Sequence, residues 1–329
     1  MALEFFPGLP TMARSNWRVR CPLLKGVCMK IGILCFTPLG RKLFVSDLLL
    51  KKTARLLGHQ AVVLRSDRFQ FLFDKNQPRF FYKEKKLSRY DAIIVRPGMT
   101  TDIDLKISVI KQLQLAGHTV INTYLPIARA KNKLRTLQIL NHEKIPVPRT
   151  VVISSMDHLD YAVSLIGQFP IIMKAPYGLQ GAGVVIFETK RSFVSATDFL
   201  SSIVKNNVVI MQEYVREAKG KDIRIFVVGN AVVAAMERKA KKGEFRANFH
   251  LGGSIQVADL REEERKFAIQ ATRALGLDYA GVDILRTNDG AKVLEVNSCP
   301  GLEGISQATG INVAEHIIKY AVKKALLHK

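Results

Sequence analysis

The sequence predicts an α/β protein that begins with a small parallel sheet. Short apolar runs typical of strands occur at residues 31–34, 61–64, 90–95 and 120–121. Helical patterns at residues 46–57 and 104–116 separate them, and Gly58 and Gly117 end these two helices. Strands that alternate with helices form parallel sheets, because each crossover helix returns the chain in the same direction.

The rest of the chain continues with strands and helices. A single helix is predicted from about residue 127 to 140, because apolar residues recur there at helical spacing. The next strands are expected at residues 150–153, 171–174, 184–187 and 208–211, with a helix at 195–204. Strands at 223–228 and 231–237 flank Gly229-Asn230, which is typical of a hairpin turn. Further helices are expected at 262–275, ended by Gly276, and at 313–327.

These patterns suggest three domains, at residues 29–125, 126–215 and 216–329. Residues 1–28 are expected to be a disordered arm or an over-long start, because Met29 directly precedes the first strand-like run. No apolar run is long enough to span a bilayer, so no membrane association is expected. The four cysteines show neither metal-ligand nor redox spacing, which favours a reduced, cytoplasmic compartment.

The charge balance is strongly basic. The chain has 50 Lys and Arg residues against 28 Asp and Glu residues, a formal net charge of +22. Such a charge attracts polyanions, including nucleic acid, nucleotide triphosphates and acidic polypeptides, and charge alone does not choose among them. A basic surface without a special partner explains it as well.

Asp283, Glu295 and Asn297 form the most specific pattern. Alternate residues of a strand share a face, so Glu295 and Asn297 point the same way while Leu294 and Val296 face the core. A three-residue loop at 288–290 would place Asp283 opposite Glu295. Two carboxylates and an amide oxygen on one hairpin face suit Mg²⁺. An exposed strand face explains each carboxylate singly but not their convergence.

Lys174 ends an apolar strand and precedes a loop with three glycines, Gly178, Gly181 and Gly183. Such loops let backbone N–H groups approach phosphate oxygens, and a nearby lysine adds positive charge. A glycine-rich hairpin explains the loop equally well. Lys133, in the basic run 129–135, is a second candidate phosphate contact, although that run also fits a solvated helix face.

Two further segments are weaker candidates. Residues 212–215 follow a strand and could present the main chain to an adenine edge, with Asp222 near the ribose, although an ordinary linker explains them too. The basic stretch from Glu237 to Asn248 contains Arg246, whose guanidinium suits a phosphate; a basic surface loop is the alternative.

The order of these motifs resembles the ATP-grasp superfamily and, within it, the RimK-type α-L-glutamate ligases. The resemblance covers nearly the whole chain from Met29, and residues 128–130, 220–224, 232–238, 280–286 and 300–305 are especially similar. It implies an ATP-grasp fold that holds ATP between two α/β domains, preceded by a Rossmann-like pre-ATP-grasp domain.

Carried over residue by residue, the resemblance implies a nucleotide site and a metal site. The phosphate contacts are Lys133, Lys174, Gly178, Gly181 and Gly183. The contacts to adenine and the rest of the nucleotide are Glu213, Tyr214 and Asp222. The residues near the γ-phosphate are Arg246, Ala247 and Asn248, of which Arg246 and Asn248 are the catalytic candidates. The ligands of Mg²⁺, or of Mn²⁺ in its place, are Asp283, Glu295 and Asn297.

The chain departs from the family pattern at two places. The family commonly has Asn-Ala-Ser-Pro-Gly after the metal glutamate, whereas this chain has Ser298 and Cys299 in the second and third positions. That change puts substrate positioning in question but not metal binding. The family often has serine where this chain has Ala247, so a hydroxyl contact is lost there.

The resemblance implies a ligase that adds L-glutamate to a carboxyl terminus through an acylphosphate. Its acceptor would be an acidic polypeptide, the best-known family target being the sixth protein of the small ribosomal subunit. One alternative is ligation to a small-molecule or cofactor acceptor. Another is a nucleic-acid-binding protein without catalysis, but no RNA-module signature is present and Asp283 and Glu295 would have no role. Nucleic acid is therefore not required, and a homo-oligomer is compatible with the sequence.

Overall fold

The structure, a computed structural model, describes residues 27–74, 78–98, 103–175, 183–203, 208–218, 220–241, 243–244 and 252–328. Several predicted features lie outside these residues: most of the expected arm, and the site residues Gly178, Gly181, Arg246, Ala247 and Asn248. No helix within the described ranges has the length and apolar character needed to cross a membrane.

The first part of the chain forms a four-stranded parallel sheet, as predicted. The helices and strands of this part of the chain are β1 (Lys30–Cys35), α1 (Val45–Leu56), β2 (Gln60–Arg65), β3 (Phe69–Leu72), β4 (Arg79–Tyr82), β5 (Lys85–Lys86), β6 (Ala92–Arg96), α2 (Ile103–Leu115) and β7 (Val120–Ile121). The sheet order is β2-β1-β6-β7, and every neighbouring pair is parallel. The predicted strands are all present, with ends within two residues of the expected positions.

Strands β3, β4 and β5 form a separate antiparallel sheet that the sequence did not predict. Phe69 pairs with Tyr82 and Phe71 with Phe80, and their rings meet edge to face. Such aromatic cross-strand pairs stabilise a sheet. The pattern was missed because each strand has only two to four residues, too few to show a clear alternation.

The helix predicted at 127–140 is two helices, so that prediction was wrong. They are α3 (Tyr124–Lys131) and α4 (Lys133–His142), separated by Asn132 in an extended conformation. The Asn132 side chain caps α4 by accepting a hydrogen bond from the Arg135 amide at 3.0 Å. Because Asn132 is extended, its neighbours Lys131 and Lys133 both reach the cleft described below.

The central part forms a four-stranded antiparallel sheet. Its elements are β8 (Thr150–Ile153), α5 (Leu159–Ile166), β9 (Ile171–Lys174), β10 (Val184–Phe187), α6 (Lys190–Ile203) and β11 (Val209–Glu213). The order is β10-β9-β11-β8. Buried residues of the four strands pack with α5 and α6 into a core of their own. Strands β8, β9 and β10 have the predicted bounds.

The last part forms a five-stranded antiparallel sheet of order β14-β13-β12-β15-β16. Its elements are β12 (Lys221–Val228), β13 (Ala231–Lys239), β14 (Ser254–Val257), α7 (Glu262–Leu275), β15 (Tyr279–Thr287), β16 (Gly290–Asn297), α8 (Glu303–Thr309) and α9 (Val313–Leu327). Helices α7 and α9 have the predicted bounds, and Gly276 ends α7 in the left-handed conformation. The strands fall into separate sheets, but the three-domain boundaries given above stay a prediction.

One hydrophobic core joins the first part of the chain to the last. Apolar residues of β1, β6 and α1 pack in the same cluster as Phe226, Tyr279 and the buried face of α9. The Tyr279 hydroxyl also donates to the Val95 carbonyl at 2.8 Å. The parallel sheet and the five-stranded sheet are therefore held together by a shared core, which fixes the walls of the cleft between them.

The hairpin that carries Asp283 and Glu295 differs from its prediction in detail. The turn has two residues rather than three, because Thr287 pairs with Gly290, which has φ +112°. The register then shifts between Asp283 and Ile284, at a bulge that leaves Leu294 as the extra residue. Leu294 is consequently half-buried and lines the cleft instead of facing the core. The shift restores the predicted pairing of Asp283 with Glu295, which is confirmed.

Asn122 fastens the end of β7 to the five-stranded sheet. Its fully buried side chain donates to the carbonyls of Tyr279 and Ser298 and accepts from the amides of Asp278 and Tyr279. Replacing Asn122 with Ala leaves these buried backbone groups unpaired, so we expect the free energy of unfolding to fall by about 3–5 kcal/mol. Urea unfolding measures this loss. The control is Asn141→Ala, on the exposed face of α4, which should change the free energy of unfolding by less than about 1 kcal/mol.

Candidate active site

The three parts of the chain enclose a cleft with a cavity of about 720 Å³. Apolar side chains from α4, β9 and β11 line one end, beside the segment Glu213–Val215. The middle contains the predicted lysines and the carboxylates of β15 and β16. The other end is formed by the start of α1, the end of β6 and the loop that leads into α8. The cavity therefore combines an apolar pocket with a highly charged floor, which is typical of a ligand site.

Asp283 is the centre of the charged floor. Its two carboxylate oxygens accept from Nε and Nη2 of Arg224 at 2.7 and 2.6 Å, and Oδ2 also lies 2.8 Å from Arg238. Burial alone would raise the pKa of Asp283, but Arg224 and Arg238 outweigh it and hold the pKa below its ordinary value. Asp283 is therefore ionised at neutral pH.

Asp222 lies beside this cluster and is held by the same arginine. Arg238 donates to both of its carboxylate oxygens, at 2.6 and 2.7 Å. Burial, opposed by Arg238 and reinforced by Asp283, raises the pKa of Asp222 to about 6. Asp222 lines the cavity, but its oxygens are occupied by Arg238. Its direct contact with a nucleotide stays a prediction.

Glu295 and Asn297 complete the predicted metal set on the same side of the hairpin. Glu295 pairs with Asp283 across the strands and accepts from Lys133 Nζ at 3.2 Å. The Asn297 amide lies 3.4 Å from Asp283 Oδ2. In the part of the chain that the structure describes, no three His, Cys, Asp or Glu side chains gather as a metal cluster. The predicted set instead combines two carboxylates with one amide.

Lys174 lies in the cavity near Glu295. Its Nζ donates to Gln212 Oε1 at 2.6 Å, and Gln212 is fixed by donating to the Thr150 hydroxyl at 2.9 Å. Burial lowers the pKa of Lys174 to about 8, although Glu295 partly opposes the shift. At the base of the glycine loop, Gly183 accepts from the Ala175 amide at 3.1 Å, which returns the chain to the end of β9 beside Lys174.

Glu213 and Tyr214 line the apolar end of the cavity. The Glu213 carboxylate accepts from Lys292 Nζ at 2.7 Å and from the Arg149 amide at 2.9 Å. These partners lower the pKa of Glu213 despite its partial burial, which acts the other way. The carboxylate therefore anchors the segment between the two sheets. The amides of Glu213 and Tyr214 donate to the carbonyls of Arg149 and Pro170 at 2.9 and 3.3 Å, so the main-chain contact with adenine stays a prediction.

Three cleft residues had no assigned role in the sequence-based prediction. Arg224 and Arg238 pair with Asp283, and Lys131 donates to the Gly98 carbonyl at 2.8 Å. Burial lowers the pKa of Lys131, against the attraction of Cys299 and Glu295. One signal was available for Arg224: it follows Asp222 by two residues, so both side chains share one face of β12. Lys131 was hidden because its run was treated as one helix.

Comparisons with known proteins agree on the family. Residues 29–127 match the RimK PreATP-grasp domain, and residues 130–321 match the RimK-like ATP-grasp domain. A protein of Vibrio vulnificus (strain YJ016) named probable alpha-L-glutamate ligase is 41% identical over 280 residues, which covers 85% of this chain and 92% of the relative.

Solved structures show the same fold. A structure of the ATP-grasp ligase PsnB complexed with a minimal precursor has a TM-score of 0.70 at 19% identity, covering 91% of this chain and all of that one. The structure of PsnB with minimal precursor, Mg and ADP has a TM-score of 0.68 at 19% identity, covering 90% and 98%. Together with the family matches over both parts, these findings show that the chain belongs to the RimK-like ATP-grasp family of α-L-glutamate ligases and is an ATP-dependent ligase.

Proposed function

We propose that this protein uses ATP and Mg²⁺ to join L-glutamate to the carboxyl terminus of an acidic polypeptide, with the sixth protein of the small ribosomal subunit as acceptor. The observation that carries the proposal is a single cavity that combines an apolar pocket, two lysines and a pair of facing carboxylates. The identity of glutamate is supported by the name of the Vibrio vulnificus relative.

In this proposal, ATP lies along the cleft with its adenine at the apolar end. Leu140, Ile172 and Ile210 provide apolar walls there, and Tyr214 borders them. Lys133 and Lys174 would then meet the phosphates, since both donate from the cavity wall beside Glu295. Triphosphate binding favours the protonated form of Lys174, because opposite charges stabilise each other in a buried site.

The oxygen donors of these residues suit Mg²⁺, which would share the Asp283 carboxylate with Arg224 and Arg238. Asp283 and Glu295 are paired across neighbouring strands, Asn297 is on the same side, and Mg²⁺ prefers one or two carboxylates together with phosphate oxygens and waters. The same oxygen ligands suit Mn²⁺. When bound, the cation neutralises charge on the triphosphate and orients it. Arg224 and Arg238 hold Asp283 in place, and Lys133 holds Glu295.

The proposed reaction has two balanced steps. A carboxylate oxygen of the acceptor attacks the γ-phosphorus, the bond to the β-phosphate oxygen breaks, and ADP leaves. The amine of glutamate then attacks the acylphosphate carbon, loses a proton and displaces inorganic phosphate. The chain supplies positioning and positive charge rather than a nucleophile. Arg246 and Asn248, outside the described residues, stay predicted contacts of the transferred phosphoryl group.

The proposal is tested by incubating the protein with ATP, Mg²⁺, glutamate and candidate acceptors. ADP release should require both acceptor and magnesium, and intact mass should rise in steps of one glutamyl unit. Hydroxylamine in place of glutamate should trap the activated carboxyl as a hydroxamate. ADP release without hydroxamate, or a mass change unrelated to glutamate, would contradict the acylphosphate route or the substrate.

Elongation should be sensitive to salt. Each added glutamate makes the acceptor more acidic, and a chain of net charge +22 attracts it more strongly at low ionic strength. We expect the KM for a polyglutamate-tailed acceptor to rise about tenfold between roughly 50 and 500 mM NaCl, because screening then acts within a few ångströms. The KM for free glutamate is the internal control and should change much less. Equal salt dependence of both would remove the electrostatic explanation.

A further inference from the structure

The end of the cavity farthest from the apolar pocket contains a second group of charged side chains. Asp47 lies in the first turn of α1, and Glu303 begins α8. The Glu303 carboxylate accepts from the Ser46 hydroxyl at 2.6 Å and from the Leu302 amide at 3.0 Å. Because Ser46 precedes Asp47 in the chain, the contact between Ser46 and Glu303 brings the carboxylates of Asp47 and Glu303 near each other at this end of the cavity. The phosphoryl transfer proposed above uses neither of them.

Asp47 is incompletely paired. Its side chain is 2% exposed, and Oδ1 accepts from Arg96 Nε at a long 3.4 Å. Among the described residues, Oδ2 is buried and has no hydrogen-bond partner. A buried carboxylate oxygen without a donor is costly. The neighbouring negative charge of Glu303 increases the cost, since like charges at short range repel. A cationic donor placed between the two carboxylates would remove both penalties.

Neither of the nearby cations, Arg96 and Lys131, donates to Asp47 Oδ2. Arg96 Nη1 donates to the Pro300 carbonyl at 2.9 Å, and Lys131 Nζ donates to the Gly98 carbonyl at 2.8 Å. The side chains of Arg96 and Lys131 instead place positive charge beside the two carboxylates at this end of the cavity. A free amino acid carries an ammonium and a carboxylate on one carbon, so it presents both signs of charge at the same short spacing.

We propose that Asp47 and Glu303 bind the amino group of the incoming amino acid, beside Arg96 and Lys131. The inference rests on the proposed function, because that function brings a free amino acid into this cavity. Lys131 connects the two regions: it lies close enough to both Arg96 and Glu295 to interact electrostatically with each. An amine bound at Asp47 and Glu303 therefore shares one cavity with the site of phosphoryl transfer.

The test compares two ligands that differ only in the amino group. Glutamate carries the amine, whereas glutarate has the two carboxylates without it and acts as a competitive inhibitor. We expect Glu303→Gln to raise the KM for glutamate at least tenfold while leaving the glutarate Ki within about twofold. The KM for ATP should also stay within about twofold. Glutamine at 303 keeps an oxygen that can accept from Ser46 and Leu302, so the change removes charge rather than shape.

Asp47→Asn provides an independent variant, with its folding checked by thermal unfolding because Asp47 is buried against Arg96. We expect the same selective rise in the KM for glutamate, with the Ki for glutarate nearly unchanged. If Asp47→Asn does not fold, Glu303→Gln decides the matter alone. Glu262→Gln, an exposed site on α7 outside the cleft, is the control for loss of one negative charge and should change none of these constants.

The outcomes separate the two proposals. Equal weakening of glutamate and glutarate, or an unchanged KM for glutamate in both folded variants, would overturn the amino-group site. Wild-type protein that forms hydroxamate with hydroxylamine would keep the proposed ligase function in either case. Wild-type protein that forms no hydroxamate with any acceptor would instead count against the proposed function itself.

Discussion

Asp283→Asn should lower ATP turnover steeply and destabilise the fold at the same time. The carboxylate is a predicted metal ligand, and loss of such a charge-stabilising group lowers turnover by about 10²–10³-fold. It is also the shared partner of Arg224 and Arg238 in a buried cluster. Removing one member of a buried ion pair typically costs about 3–5 kcal/mol, because a charge is left without its partner. ADP release and urea unfolding measure the two effects.

Glu295→Gln should separate catalysis from stability. The Glu295 side chain is 39% exposed and its described ion pair is with Lys133 at 3.2 Å. Partly exposed pairs of this kind contribute about 0–1 kcal/mol, so the free energy of unfolding should barely change. Turnover should still fall by about 10²-fold or more, since the second carboxylate of the predicted metal site is lost.

Asp289→Asn is the matched control for both variants. Asp289 lies in the turn of the same hairpin and is exposed. Asp289→Asn should therefore leave ATP turnover unchanged and should change the free energy of unfolding by no more than about 0.5 kcal/mol. Full turnover in Glu295→Gln together with full turnover in Asp283→Asn would refute the predicted metal site. A normal unfolding free energy in Asp283→Asn would refute the structural role of the arginine cluster.

Lys174→Met should make the protein more stable and a poorer ATP binder. Burial lowers the pKa of Lys174 to about 8, which means that the folded state disfavours its charge. Methionine of similar length removes that cost but leaves Gln212 Oε1 without its donor. We expect a net stabilisation of about 1–2 kcal/mol at pH 7. The affinity for ATP should fall by about 10- to 100-fold, because a charged hydrogen bond to phosphate is lost.

The difference in unfolding free energy between Lys174→Met and the wild type should depend on pH with a definite sign. The folded pKa of Lys174 is below its unfolded value, so the unfolded state binds more protons between about pH 8 and pH 10.5. Wild-type stability therefore gains from Lys174 as pH rises through that window, while Lys174→Met lacks the gain. The stability advantage of the variant should shrink from pH 7 to pH 9.5, as urea unfolding at both values would show.

The control is Lys266→Met, which removes one positive charge from an exposed position on α7. It should leave ATP affinity unchanged and give no pH-dependent stability difference between pH 7 and 9.5. An unchanged ATP affinity in Lys174→Met would remove Lys174 from the nucleotide site. A stability difference that grows with pH would mean that the folded pKa is not lowered.

Local sequence patterns determined most of the secondary structure and the fold class. Helices α7 and α9 and strands β8, β9 and β10 have the predicted bounds, because apolar periodicity, glycine ends and β-branched runs act over a few residues. The facing of Asp283 and Glu295 was predicted too, although through a three-residue turn. The actual path is a two-residue turn followed by a bulge, and the alternation of side chains cannot show where a bulge lies.

Tertiary structure decided which charged residues meet. Asn132 is a residue type that often begins a helix, but the run from residue 129 to 135 does not show that it separates two helices and turns Lys131 into the cleft. The pairing of Arg224 and Arg238 with Asp283 depends on sheets that pack through a shared core. So does the proximity of the carboxylates of Asp47 and Glu303, which are 256 residues apart in the chain. Sequence therefore determined the elements and the candidate ligands, whereas packing determined their partners and pKa values, because burial and charge act through space rather than along the chain.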